Sequence, residues 1–435
     1  MSRPSTVPHV SPGWPVRSLR VVVTDGPDKG KRGPVTGDRV SVGTAENNQL
    51  VLTDPTVSRY HLELKTNGDG IEVVDLGSTN GTLVEKVRVL HARVAPKTKL
   101  KLGKTTLRVE SAGEEVRALH AAGELEGLIG ASLPMRQVMA QLTQAARTDS
   151  QVLVVGESGT GKEAAVRALH QLGARASQPF VAVDCGALST SLIASELFGH
   201  ERGSFTGAER QRPGAFERAQ GGTLFLDEIG ELAPELQPAL LGVLERKKYR
   251  RVGGDVDLPA DVRVVSATHR DLRAEVNAGR FRVDLFYRLA VVVIELPPLR
   301  ERLEDVPALV EHFLEELGAS PTKFSDDDSV AALARHRWPG NVRELRNLIE
   351  AAVVLGELPR PESKATVTRQ MLGPGYEEVQ DQPYRGARSA VLGEFERLYL
   401  SRLIQRAKGN VAAAARLAKM DRSHLIELLQ RHGMK

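Results

Sequence analysis

Cysteine is nearly absent from this 435-residue chain: Cys185 stands alone. One cysteine excludes an internal disulfide and a zinc site built from a cysteine cluster, and it fits a reducing compartment. Long apolar runs are missing as well. None approaches the roughly 20 residues a membrane-spanning helix needs. The N-terminal stretch MSRPSTVPHVSPGWP has no apolar centre of a secretory signal. Nor is there an excess of one charge: 59 Lys and Arg against 55 Asp and Glu leave a net charge of +4. Any nucleic-acid site must therefore be a local basic patch. These absences point to a soluble cytoplasmic protein with no membrane partner, and the length points to two to four domains.

Patterning divides the chain. Residues 1–18, rich in Pro and Ser, read as a disordered lead. Residues 19–111 carry short β-type runs (LRVVV, DRVSVG, QLVL, HLELK, GIEVVDL) separated by Gly, Asn and Asp, the rhythm of an all-β sandwich. Residues 112–127 turn to Ala, Glu and Gly and read as a helical connector. From 128 to 298 apolar strands alternate with amphipathic helices, as in a parallel α/β sheet. Residues 299–356 read as a helical lid, 357–390 as a linker and 391–435 as a small all-α unit.

The chemistry starts at Gly156-Glu157-Ser158-Gly159-Thr160-Gly161-Lys162, between the strand QVLVV and the helix EAAVRALH. This G-x-x-x-x-G-K loop sits in the strand–loop–helix setting in which backbone N–H groups close around phosphates and the lysine reaches the β/γ-phosphates. Glu163 stands where a Ser or Thr ligand of magnesium is usual. Farther on, the apolar strand GTLFLDE ends in Asp227 and Glu228, one carboxylate for Mg²⁺ and one to polarise the attacking water. ATP and Mg²⁺ are thus the expected ligands.

At this point residues 128–356 resemble the sigma-54-dependent activators, a branch of the AAA+ ATPases. Gly203-Ser204-Phe205-Thr206-Gly207-Ala208 is similar to the family's GAFTGA loop, with Ser204 for Ala. Composition alone leaves Phe205 either an exposed anchor or folded into the core. The resemblance implies that the loop grips sigma-54 in the RNA polymerase holoenzyme. It further implies arginine fingers at Arg282 and Arg288 acting on a neighbouring subunit of a ring, typically a hexamer. Arg343 of the WPGNVREL segment and His269 of SATHRD would reach nucleotide, His269 replacing an Asn. Asp184 stands where the family has an Asn that holds the catalytic Glu idle. No receiver-type domain precedes the motor.

At the front, VSRYH and DLGSTNGT resemble the forkhead-associated (FHA) domain, implying phosphothreonine recognition by Ser58, Arg59, Thr79 and Asn80. Thr44 stands where that family has an Arg after the Gly of its second strand. At the back, residues 391–435 hold nine Lys or Arg against four Asp or Glu. They resemble a Fis-type helix-turn-helix, with Arg422, Ser423 and His424 near base edges of enhancer DNA. The whole then reads as sensor, motor and DNA tether. Two other readings are an AAA+ remodeller of another protein and a DNA-bound phosphoprotein scaffold. ATP turnover abolished by Lys162→Ala excludes the scaffold.

Overall fold

The computed structural model describes residues 14–33, 39–67, 70–117, 119–187, 189–205, 208–319, 333 and 336–355, and parts of 396–432. It divides into two compact units, Met1–Pro359 and Arg360–Lys435.

The first unit opens with two five-stranded sheets. One is built from β1 (Trp14–Asp25), β10 (Thr105–Arg117), β9 (Lys99–Leu102), β6 (Thr82–Val84) and β7 (Val87–Val89), in that order. The other runs β3 (Leu50–Val51), β2 (Arg39–Gly43), β4 (Leu62–Asn67), β5 (Gly70–Asp75), β8 (His91–Val94). Alternation writes this sandwich: along β5, Ile71, Val73 and Asp75 are buried while the residues between them are half-buried. Val21, Val42, Leu64, Val73, Leu102 and Leu107 fill the space between the sheets.

Two expectations change here. β1 begins at Trp14, inside the expected lead, and β10 runs to Arg117, inside the expected helical connector. Each extension is the other's partner, Trp14 opposite Arg117 and Arg17 opposite Glu114. Antiparallel pairing with a distant strand overrides the local helical preference of EEVRA. The rest of that connector includes a short strand, β11 (Glu124–Leu125), paired with β12 (Leu128–Ile129) just beyond it.

The motor follows. α1 (Leu133–Ala146) precedes a parallel sheet ordered β14 (Phe180–Asp184), β15 (Thr223–Asp227), β18 (Arg263–Thr268), β13 (Val152–Val155), β19 (Val292–Glu295). Its inner strands are buried without alternation because both faces are covered: all six residues of β18 are buried. α2 (Lys162–Gln171), α3 (Thr190–Phe198), α4 (Ala215–Arg218), α5 (Gln237–Arg246), α6 (Leu272–Asn277) and α7 (Val283–Leu289) connect the strands, with a short ribbon of β16 (Lys248–Tyr249) and β17 (Leu258–Pro259). The chain leaves β13 and returns three places away at β14, with β18 and β15 between them, so the carboxyl end of β13 is a switch point where such sheets bind ligands.

The lid contains α8 (Val306–Glu316) and α9 (Asn341–Leu355) around a core with fully buried Trp338. It is tied to the start of α1, where Ser132 N and Oγ both donate to Asp305, each at 2.7 Å. The expected linker 357–390 lies outside the described residues.

The second unit contains α10 (Val411–Ala418) and α11 (Arg422–Arg431) on a small core that includes Leu403, Ala414, Leu425 and Leu429.

Candidate functional site: a phosphate loop under a helical lid

The loop 156–161 joins β13 to α2. Gly159 and Gly161 have φ of 79° and 101°, which favours glycine. Gly159 has a second constraint: a Cβ there would lie 2.3 Å from the Gly340 carbonyl of the lid. Lys162 is buried at the start of α2 and donates through Nζ to the carbonyls of Gly156 (3.0 Å) and Glu157 (3.3 Å). Its ammonium is also 3.4 Å from Glu228.

The lid grips the loop from above. Asn341 donates to Ser158 O (3.0 Å) and Glu157 Oε2 (3.1 Å) and accepts from Leu299 N (2.8 Å). Arg343 donates to Ser158 Oγ at 2.9 Å. Arg300 forms two bonds to the Glu157 carboxylate, at 2.7 and 2.8 Å. Arg302 donates to Thr160 O at 2.7 Å, and burial brings its guanidinium down to about 10. A cavity of about 560 Å³ remains between loop and lid, with Leu128, Ile129 and Phe313 as an apolar ledge and Lys162, Asp227 and Arg343 as polar lining. Apolar walls with a few convergent polar groups are the usual make-up of a small-molecule site.

The two carboxylates at the end of β15 have been pushed apart. Burial, with the Glu228 charge beside it, raises the Asp227 pKa above the ordinary range. Burial acts the same way on Glu228, but it is outweighed by bonds from the His269 ring and backbone and by the Lys162 charge. Glu228 therefore stays below the ordinary range. His269 Nδ1 lies 2.6 Å from Glu228 Oε2, and His269 N donates to the same oxygen at 3.1 Å. Glu228 takes a left-handed φ of 49°.

Several expected residues have partners within the chain. His269, read as a phosphate contact, is bonded to Glu228. Asp184, read as the partner of Glu228, lies in register with Asp227 and accepts from its own loop at Gly186 N, 2.8 Å away. Glu163, at the usual place of a magnesium ligand, is held by Arg167 one turn along α2 at 2.8 Å. Cys185 is buried, and its thiol is pushed up to about 12 by burial and then by nearby carboxylates.

Arg282 and Arg288 lie away from the pocket of their own chain. Arg282 is exposed and paired with Asp284 at 2.7 Å, and Arg288 donates to Leu244 O at 3.2 Å. In the 203–208 loop, Gly203 N donates to Ala208 O (2.8 Å) and Ala208 N to Phe205 O (3.0 Å). Phe205 is half-buried, edge-on to His200 at 5.0 Å, so it is neither freely exposed nor in the core. Thr206 and Gly207 lie outside the described residues.

In the sandwich, Ser58 and Asn80 tie two turns together. Thr79 N donates to Ser58 Oγ (3.0 Å) and Asn80 Nδ2 to Thr56 O (2.7 Å). Gly43 lies under this turn so closely that a Cβ would meet Arg59 O at 2.1 Å. Arg59 itself is exposed. Arg422, Ser423 and His424 begin α11, and their side chains lie outside the described residues.

Sequence reasoning missed Arg300, Arg302 and Asn341. Asn341 lies in the WPGNVREL segment that pointed to Arg343, so a signal was present. Nothing in the local sequence marks Arg302.

Comparison with known proteins places this geometry. A family model described as the Sigma-54 interaction domain matches residues 128–295, and one for an AAA+ ATPase lid domain matches 300–384. A model described as the cytoplasmic domain of an inner membrane component of T3SS matches 22–113. The DNA-binding transcriptional regulator NtrC of Azospirillum brasilense is 44% identical over 331 residues, 70% of this chain and 69% of that protein. The transcriptional regulatory protein ZraR of Klebsiella oxytoca is 43% identical over 311 residues, again 70% and 69%. Among solved structures, NtrX from Brucella abortus in complex with ADP shares 35% identity with a TM-score of 0.53, covering 72% of this chain and 70% of that one. NtrX with ATP gives 36% and 0.50, covering 70% and 69%.

Proposed function

The chain belongs to the sigma-54-dependent transcriptional activators, whose motor is an AAA+ ATPase, and we propose that it couples ATP hydrolysis to opening of the sigma-54 promoter complex while tethered to enhancer DNA. The observation that carries this is the pocket: a phosphate loop roofed by the lid, with Glu228 held between His269 and Lys162. Lys162, the loop N–H groups and Arg343 bind and orient the phosphates. Glu228, kept ionised by its neighbours, takes up the proton side of water attack. His269 sets where that carboxylate points.

Asp227 is the residue that would hold Mg²⁺ together with phosphate oxygens. Burial has raised its pKa, and a cation beside it would favour the charged form. When bound, the cation neutralises charge building on the transferred phosphoryl group. Glu163 is occupied by Arg167 and is not needed for this. Among the described residues there is no cluster of three or more His, Cys, Asp or Glu able to hold a metal, in keeping with a cation held largely by the nucleotide.

The remaining parts follow the same reading. Arg282 and Arg288, exposed or bonded outside their own pocket, supply charge to a neighbour's nucleotide in a hexameric ring. Gly203–Ala208 contacts sigma-54. The C-terminal unit, with α11 starting at Arg422, is the helix-turn-helix that reads DNA. The sandwich is an FHA-type sensor of a phosphothreonine protein, supported by the Ser58–Thr79 and Asn80–Thr56 links between its two loops. Among the described residues no helix is long and apolar enough to cross a membrane.

Promoter melting with sigma-54 holoenzyme tests the reading. ATP should drive open-complex formation, and Lys162→Ala should abolish both turnover and melting. Phe205→Ala should leave turnover in place and lose melting. An intact motor that hydrolyses ATP and never opens the promoter would reject the proposal.

A further inference from the structure

The motor takes hold of the sandwich at the two turns that carry the phosphopeptide residues. Asn277, at the end of α6, donates through Nδ2 to Tyr60 O (2.5 Å) and Leu76 O (2.9 Å), and its Oδ1 accepts from Tyr60 N (3.4 Å). Tyr60 follows Ser58 and Arg59; Leu76 leads into Ser78, Thr79 and Asn80. The Tyr60 ring is buried edge-on against Phe286 of α7 at 5.5 Å. Tyr60 and Leu76 pack into the motor's core rather than into the sandwich's own. Two ion pairs flank the contact, Arg273 with Glu63 at 3.0 Å and Arg39 with Glu295.

Beside this contact lies a cleft of about 720 Å³. Thr44 to Asn47 and Arg59 form one side, and Val283 and Tyr287 of α7 form the other. The cation and the amide side chain of the lining come from the sandwich, whereas α7 contributes Val283 and the ring and hydroxyl of Tyr287. The volume equals a cube about 9 Å on edge, and five extended residues span roughly 17 Å. A peptide of that length seated on Arg59 is longer than the cleft, and α7 forms the wall that faces Arg59.

We propose that this cleft is the entry of a phosphothreonine peptide and that α7 obstructs it, so that peptide binding and docking of the sandwich on α7 oppose each other. The inference rests on the phosphothreonine reading of the sandwich and adds what that reading controls. Arg282 precedes α7 and Arg288 lies within it. A bound peptide thus loosens the segment that carries both finger candidates. Linkage makes the effect reciprocal: whatever undocks α7 strengthens peptide binding by the same factor.

The full-length chain serves for the test. The probe is a labelled pool of peptides with fixed phosphothreonine among random residues, and the control is the same pool with threonine. Asn277→Ala combined with Arg273→Ala removes the Asn277 hydrogen bonds and the Arg273–Glu63 ion pair, leaves the Tyr60–Phe286 and Arg39–Glu295 contacts, and touches neither the nucleotide pocket nor the peptide residues. Tyr287→Ala strips the exposed helix wall and keeps the core. Both should bind the phosphorylated pool at least about fivefold more tightly than the parent, within the usual range of such couplings. In the parent, the phosphorylated pool should lower the protein concentration at which ATPase activity rises. Equal affinity in parent and folded variants would overturn the proposal and leave the phosphothreonine reading standing. Weaker binding by Tyr287→Ala would make α7 part of the peptide site and overturn it in the other direction. Binding that ignores the phosphate in every protein would remove the phosphothreonine reading, and the proposal with it.

Discussion

Two asparagines join separate bodies of this molecule by the same chemistry. Asn341 ties the lid to the phosphate loop, and Asn277 ties the motor to the sandwich. Each amide reads backbone groups across the junction. Their surroundings differ. Asn341 is fully buried, takes a left-handed φ of 54°, and is backed by the buried Arg302. Asn277 is half-buried and is backed by ion pairs that water reaches. A hydrogen bond broken inside leaves orphaned groups, whereas one broken at a wet seam is replaced by water. The lid junction is accordingly sealed from water, whereas the sandwich junction joins a buried Tyr60–Phe286 contact to a rim that water reaches.

The largest effect should come from Asn341→Ala. It orphans Leu299 N–H and Ser158 C=O and puts alanine in a left-handed backbone. A loss of about 3 kcal/mol in denaturant unfolding is expected, with weaker ATP binding. A loss below about 1 kcal/mol would erase the contrast between the two junctions. Next comes His269→Ala, which tests whether polar contacts inside the pocket act on chemistry. With its strongest partner gone, Glu228 should rise toward the ordinary carboxylate range. The acid limb of the ATPase profile should move to higher pH and kcat fall by about tenfold, with little change in KM.

Asn277→Ala should cost less, about 1–2 kcal/mol, all of it at the seam. Hydrogen exchange at residues 58–64 should quicken while the motor's unfolding curve stays in place. A shift of the whole curve would show that the seam is part of the core. The smallest effect is pH-dependent. Burial disfavours the charge on Glu63, but Arg273 and Arg39 overcome it and hold the group below its ordinary 4.5. A depressed carboxylate stabilises the docked form above about pH 4.5 and loses that contribution as pH falls through the docked-state value. Asp271, with its pKa raised chiefly by burial, lies in the same electrostatic environment, because the Arg273 and Glu63 charges both act on it. Exchange at 58–64 should therefore rise on acidification below about pH 4.5, and Glu63→Gln should flatten that rise.

The parts legible in sequence are those whose chemistry is local. The phosphate loop needs glycines, a lysine and a strand–helix junction within a few residues, and Gly156 to Lys162 supply them in order. Asp227 and Glu228 were legible because a buried parallel strand ends there. The connector at 112–117 was misread because EEVRA has a helical composition, while its conformation is set by pairing with Trp14–Arg17, a hundred residues earlier. The bond from His269 to Glu228 was not legible for a similar reason: β15 and β18 are neighbours in the sheet but 40 residues apart in the chain.

By itself, then, the sequence determined the motor's class, its nucleotide loop and its acidic strand end, because each is written in contiguous residues with one workable conformation. Tertiary structure alone decided which side chain holds Glu228, how Arg302 and Asn341 close the lid on the loop, and that Tyr60 of the sandwich lies against Phe286 of the motor. Those contacts join residues 41 to 226 positions apart. No local pattern specifies such a pairing, because its energy exists only once the sheet order and the burial of both partners have been set.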